Sequence, residues 1–280
     1  MKIISILFFC YSLSFAQSQL FNSPQEVKKF ADYLYCEFDY LRAAEEYQKF
    51  LRTDKNDTVI FKSVLSYYMM DRFSDVLNFS VSSSRNFVFY DDTQFLKLIS
   101  LFRLNMFNEF DTTAALIKMI GSKLETNSEK LIRFTFLMRD SISSKGFIVS
   151  PFDETEKTTI EKFYDRKQNP HYKSPLLAAV FSSIIPGSGK VYADKLGDGI
   201  FAFLTTGVFT FLAYDNFKAD HKFRGWLFGG LAGLFYAGNI YGSAAAAQIF
   251  NAGVQFNFQN DIQIYLTKKK HYLPEYDFCN

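Results

Sequence analysis

Residues that usually carry catalysis are scarce in this chain. Its 280 residues include three histidines and three cysteines, and His171, His221 and His271 stand far apart. There is no HExxH, no G-x-S-x-G and no Cys-His pairing, so the usual residue sets for metal-assisted hydrolysis and for nucleophilic attack are missing. The paired acids Glu45-Glu46 and Asp91-Asp92 are sequence neighbours, which on a helix point about 100° apart and read as solvated faces. No enzymatic activity, cofactor or metal is expected. A basic stripe is also lacking: the net charge is +2, which excludes nucleic acid as an expected partner. Cysteines for a disulfide framework are wanting too. Cys10 falls in the leader described below, Cys36 and Cys279 lie at opposite ends, and nothing in the sequence joins them; no disulfide is expected.

Charge is present but unevenly placed. It is dense from Gln25 to Lys173 and then nearly vanishes in blocks, as in a soluble part joined to a membrane part. Ahead of both, Lys2, the apolar run Ile3–Phe9 and the small-x-small site Ser14-Phe15-Ala16 predict a secretory signal peptide over 1–16, with Gln17 as the mature N-terminus. The expected location is therefore the bacterial cell envelope, at the inner membrane, with the N-terminal domain in the periplasm.

Residues 17–144 repeat. Phe38–Tyr47, Asp71–Ser80 and Asn105–Ala114 align, placing Tyr40, Phe73 and Phe107 33 and 34 residues apart. An apolar-periodic segment precedes each block: Val27, Phe30 and Leu34, then Phe61, Val64, Leu65 and Tyr68, then Phe95, Leu98, Ile99 and Phe102. Every unit thus reads as helix, tight turn, helix. On these residues the region resembles the tetratricopeptide repeat family, with Ala31, Leu34, Tyr40, Ala43 and Tyr47 in the best-fitting unit and Phe73 and Phe107 in the others. The resemblance implies a solenoid whose concave surface takes a peptide or a partner's helix. Val76 and Phe110 replace the small Ala43 in later units, and the glycine of the family's first helix is absent.

A connector, 145–173, contains an amphipathic helix expected to start at Ser150-Pro151. Its aromatic face suits either a bilayer surface or a bridge between domains. The membrane domain, 174–251, has three uncharged segments. The first is cut by Pro186-Gly187 and is too short to span, hence re-entrant or interfacial; Gly199–Tyr214 and Gly225–Phe250 are the expected transmembrane helices. Length favours two spans, whereas the count of cytoplasmic lysines and arginines favours three. Pro186, Gly187, Gly189, Tyr192 and Gly199 form a turn that fails as a phosphate loop, because Ile184 and Val191 stand where glycine and a hydroxyl residue are needed. This stretch resembles small bacterial two-transmembrane-helix and Pro-Gly-x-Gly envelope proteins, which imply no chemistry. Gly225, Gly229, Gly233, Gly238 and Gly242 offer small-residue ridges for helix packing, against the chain's own second helix or in a homo-oligomer.

In the tail, 252–280, Val254, Phe256 and Phe258 alternate with polar residues, as do Ile262, Ile264 and Leu266, which predicts a β-hairpin. The expected fold is mainly α: a helical-repeat solenoid, a helical membrane hairpin and a short C-terminal β-hairpin. The expected function is a membrane-anchored periplasmic adaptor or scaffold recruiting a protein partner through its repeats, in contact with membrane lipid. The alternative is an oligomeric small pore or transporter component built from the glycine-rich helices.

Overall fold

The computed structural model describes residues 23–80, 85–119, 121–139 and 143–279. The signal peptide expected over 1–16 lies outside them. Among the described residues the chain is mainly helical, with thirteen α-helices, one 3-10 turn and no strand. It divides into two compact units, the boundaries falling at Lys157/Thr158 and Tyr265/Leu266, so that the C-terminal tail belongs to the same unit as the N-terminal helices.

In the first unit the helices are α1 (Pro24–Cys36), α2 (Tyr40–Leu51), α3 (Asp57–Met69), α4 (Phe73–Ser80), α5 (Tyr90–Arg103), α6 (Phe107–Met119), α7 (Glu125–Met138) and α8 (Lys145–Val149). Their starts have local causes. Ser23, Asp39, Asn56 and Ser144 each accept a hydrogen bond from the backbone N–H three residues on, satisfying a donor the helix leaves open. The stops repeat with the sequence: Phe38, Asp71 and Asn105 all have left-handed backbone, φ 62°, 54° and 57°. After each of them, the N–H of Asp39, Arg72 or Met106 reaches back to the carbonyl of Leu34, Tyr67 or Leu101. These are three copies of one Schellman turn, at the period seen in the sequence.

Packing follows the order of the chain. Each helix from α1 to α7 packs on the next, α3 also meets α5, and α5 meets α7. Ala31, Leu34, Ala43 and Tyr47 are buried, and so are Phe61, Leu65, Phe95, Phe102 and Phe134. Ala43, Val76 and Phe110, equivalent by sequence, are all fully buried, so larger residues in the later hairpins are absorbed by packing. Tyr40 and Phe107 are half-buried and Phe73 is buried.

The connecting helix α9 (Glu154–Gln168) begins three residues later than the sequence suggested. Ser150 closes α8, and Asp153 caps α9 through the N–H groups of Thr155 and Glu156. Phe152, Ile160 and Phe163 are buried, with Phe152 against Phe134 and Phe163 against Phe258 and Tyr265.

The second unit holds α10 (Pro175–Ile184), α11 (Ser188–Tyr192), α12 (Leu196–Lys218) and most of α13 (Lys222–Lys268). Helix α12, of 23 residues, is long and apolar enough to cross a membrane; at 1.5 Å per residue it measures about 34 Å against a hydrocarbon core of about 30 Å. The stretch Gly225–Phe250 is instead part of the 47-residue α13, which does not pass the same test of length and apolarity. Glycines, Trp226, Tyr236, Tyr241, Asn239 and Gln248 lower its mean hydropathy.

The expected C-terminal hairpin is absent. Residues 254–266 continue α13, with Phe258, Ile262 and Leu266 buried while Phe256 is 67% and Ile264 45% exposed. Buried positions four apart form one stripe of a helix and also satisfy a period of two, which is why the pattern resembled strands. Asp261, placed at the supposed turn, pairs with Arg166 of α9 at 2.8 Å.

Candidate functional site

The chain's C-terminal segment lies on a face built from alternate helices of the first unit. After α13, Lys270, His271 and Tyr272 are all left-handed, with φ of 49°, 52° and 61°, a conformation costing roughly 1–2 kcal/mol per residue. Side-chain contacts hold it. Tyr68 Oη lies 3.0 Å from His271 Nδ1; Asn127 Nδ2 donates to the Tyr272 carbonyl at 2.8 Å, and Tyr272 Oη donates to Glu156 at 3.2 Å. Beyond Leu273 the tail has no regular structure.

From there it crosses the helices in reverse order. Tyr276 Oη donates to buried Asp92 of α5 at 2.6 Å, and its ring meets Phe61 of α3 edge-on at 4.9 Å. Phe278 sits among Tyr35, Phe61 and Phe89, with Lys62 Nζ 5.2 Å from its ring centre and 3.5 Å from its carbonyl oxygen. At the end Cys279 forms a disulfide with Cys36 of α1. This corrects the expectation of no disulfide: the two cysteines are 243 residues apart in sequence, and tail docking brings their Cα atoms to 5.6 Å.

Charge on this face is compensated. Asp32 accepts from Lys62 at 2.7 Å, Lys28 at 2.8 Å and Tyr47 at 2.8 Å. Burial alone would raise its carboxyl pKa, but these three donors hold it below the usual range. Glu156 behaves in the same way: burial opposes its charge, whereas Lys130 at 2.7 Å and Lys269 at 3.0 Å lower its pKa. For His271 burial dominates and Arg103 adds to it, depressing the imidazole to about 4, so the ring is neutral at ordinary pH. Beside the tail a cavity of about 760 Å³ runs between Tyr35, Leu65 and Tyr68 on one side and His271, Leu273 and Tyr276 on the other. Aromatic rings, compensated charges and an open cleft thus adjoin the tail on this face.

In the second unit the turn residues cluster. Gly187 has φ 91°, and a Cβ there would stand 2.0 Å from the Gly199 carbonyl oxygen. One at Gly189 would stand 1.8 Å from the Ala178 carbonyl oxygen, and one at Gly199 2.7 Å from the Gly187 carbonyl oxygen. Glycine is required at all three for backbone to approach backbone. Gly189 N–H donates to Ser182 Oγ at 2.9 Å, and Ser182 shares a 2.7 Å hydrogen bond with Ser243 of α13. Tyr192 Oη accepts from the Ser174 N–H at 3.1 Å; Pro186 starts the turn.

The five α13 glycines expected to pack separate into two sets. Gly225 faces the Phe217 ring, Gly229 faces Ala213 and Gly242 faces Lys190, all within the chain. Gly233 and Gly238 have nothing within 4 Å of an added Cβ. The expected ridge is therefore divided between packing on the chain's own helices and open surface.

Comparison of the chain with family models, with curated proteins and with solved structures finds no match. Sequence reasoning located the turns at Phe38, Asp71 and Asn105 and the glycine turn but missed the tail residues Tyr276, Phe278 and Cys279. Their one local signal is an aromatic-rich, acidic end, Tyr276-Asp277-Phe278, following a proline.

Proposed function

We propose that this chain is a membrane-anchored adaptor of the bacterial envelope, whose periplasmic helical repeats form a solenoid that recruits a protein partner. The observation that carries it is the seating of an irregular, aromatic segment, Leu273–Cys279, across α1, α3 and α5. A face that takes its own tail in this way takes a partner segment of like chemistry, and the tail acts as a resident competitor. The disulfide supports an oxidising compartment. It also supports an even number of membrane crossings, because both ends of the first unit are joined covalently on one side. With α12 as one crossing, the apolar part of α13 is the return. Leu234, Tyr241 and Ile249 on α13 and Phe201, Leu204 and Phe211 on α12 are exposed, as lipid-facing residues are.

The test uses a labelled synthetic peptide of the tail sequence and the full chain carrying Tyr276→Ala, Phe278→Ala and Cys279→Ser, which vacates the face. Saturable binding to this variant and none to the unaltered protein is expected. A variant that keeps its helicity yet ignores the peptide overturns the reading.

A further inference from the structure

The second unit contains a small, mainly apolar cavity with a few polar groups in its lining. It has a volume of about 160 Å³ and lies between α11, α12 and α13, with Lys190, Thr206 and Asn239 among its lining residues. Asn239 is 4% exposed, and neither its amide nitrogen nor its oxygen has a hydrogen-bond partner; Thr206 is 7% exposed and its Oγ1 is likewise unpartnered. Each such group left unsatisfied costs about 1–3 kcal/mol. Partly buried Lys190 has no carboxylate partner among the described residues. Gly242 lies beside it: a Cβ there would stand 3.5 Å from Lys190 Cε and 3.8 Å from Nζ, ordinary van der Waals distances.

The glycine turn explains how the lysine comes to this place. Lys190 sits in the five-residue α11, which is held by backbone approaches at Gly187, Gly189 and Gly199 and by the Ser182–Ser243 link to α13. These features fix one short helix against two long ones with its single cation facing the cavity. The cavity lining thus includes an ammonium, a hydroxyl and a carboxamide, the last two buried without partners. That set matches an oxyanion ester with a neighbouring hydroxyl. Its other walls, Phe201, Leu234 and Phe235, are exposed on their outer sides, where an acyl chain could run.

We infer that Lys190, Thr206 and Asn239 form a binding site for a phosphate ester, supplied as the headgroup of an anionic phospholipid. The phosphate site rests on the geometry of these residues; the lipid source rests on the membrane reading above. Lys190 would hold the phosphate oxygens by charge-assisted hydrogen bonds, with Thr206 and the Asn239 N–H₂ as neutral donors. The Asn239 oxygen would accept from a headgroup hydroxyl such as that of glycerol.

The full-length protein in neutral detergent is heated with phosphatidylglycerol, phosphatidylcholine or inorganic phosphate, and retained lipid is counted by native mass spectrometry. One phosphatidylglycerol should be retained per chain and raise the melting temperature, with phosphatidylcholine doing neither. Lys190→Met should weaken retention roughly tenfold or more, the value of one charged hydrogen bond, and Lys190→Arg should restore it. Asn239→Leu should also lose the lipid-dependent shift, while leaving the lipid-free melting temperature unchanged or higher, because it deletes an unsatisfied buried group. An equal shift with inorganic phosphate, abolished by Lys190→Met, supports the anion site and reassigns its source. No shift with either anion, or a shift that survives both Lys190→Met and Asn239→Leu, overturns the site.

Discussion

Phe38, Asp71 and Asn105 occupy one turn of a repeated design, yet they are not equally suited to it. Asparagine and aspartate tolerate left-handed backbone, whereas a phenylalanine there bears the full steric cost of its Cβ. The Phe38 side chain is mostly exposed, with an edge contact to Tyr40 at 6.2 Å as its ring contact among the described residues. Phe38→Gly is therefore expected to stabilise the first unit by about 1 kcal/mol, measured by chemical denaturation. A loss of stability would mean that the ring contact outweighs the backbone term. At this scale much was legible. The 33- and 34-residue spacing located all three turns, because a local turn is dictated by nearby residues. The glycines at 187, 189 and 199 were legible as a turn, although the backbone atoms they make room for were not.

Among elements, α13 and the tail show how a pattern can be read correctly and assigned to the wrong structure. Phe258, Ile262 and Leu266 fit a strand's alternation and a helix's stripe equally, and burial separates the two. Ile262→Ala should cost about 2–4 kcal/mol and Ile264→Ala less than about 0.5 kcal/mol; equal costs at both positions, by thermal unfolding, would contradict the helical stripe. The tail adds a dependence on pH. His271 is held neutral, with its pKa lowered from 6.5 to about 4, so the unfolded or undocked state takes up a proton first as pH falls. Its contribution is present above about pH 6.5 and is lost between there and about pH 4, up to roughly 3 kcal/mol. Asp32 and Glu156, both depressed, add a further loss below their unfolded values of 3.8 and 4.5. His271→Asn, which suits the left-handed backbone, should flatten the first window and spare the second, read from denaturation midpoints across pH.

For the whole molecule the decisive bond is Cys36–Cys279. It closes a loop spanning 243 positions, for which chain-entropy arguments give about 5 kcal/mol of stabilisation. It also tests topology. In intact spheroplasts a membrane-impermeant maleimide should label neither cysteine at first and both after an impermeant reductant, with single Cys→Ser variants separating the two. Labelling of Cys279 only after permeabilisation would exclude a tail on the same side as the repeats and with it the two-crossing arrangement.

The amino-acid sequence by itself determined the mainly helical character, the three recurring turns, the apolar α12 and the glycine turn before it, since each depends on residues close together in the chain. Tertiary structure decided the rest. The tail's course over alternate helices, the disulfide at its end and the meeting of Lys190, Thr206 and Asn239 join residues tens to hundreds of positions apart. No periodicity records such a meeting, because it follows from which faces the packed helices leave available.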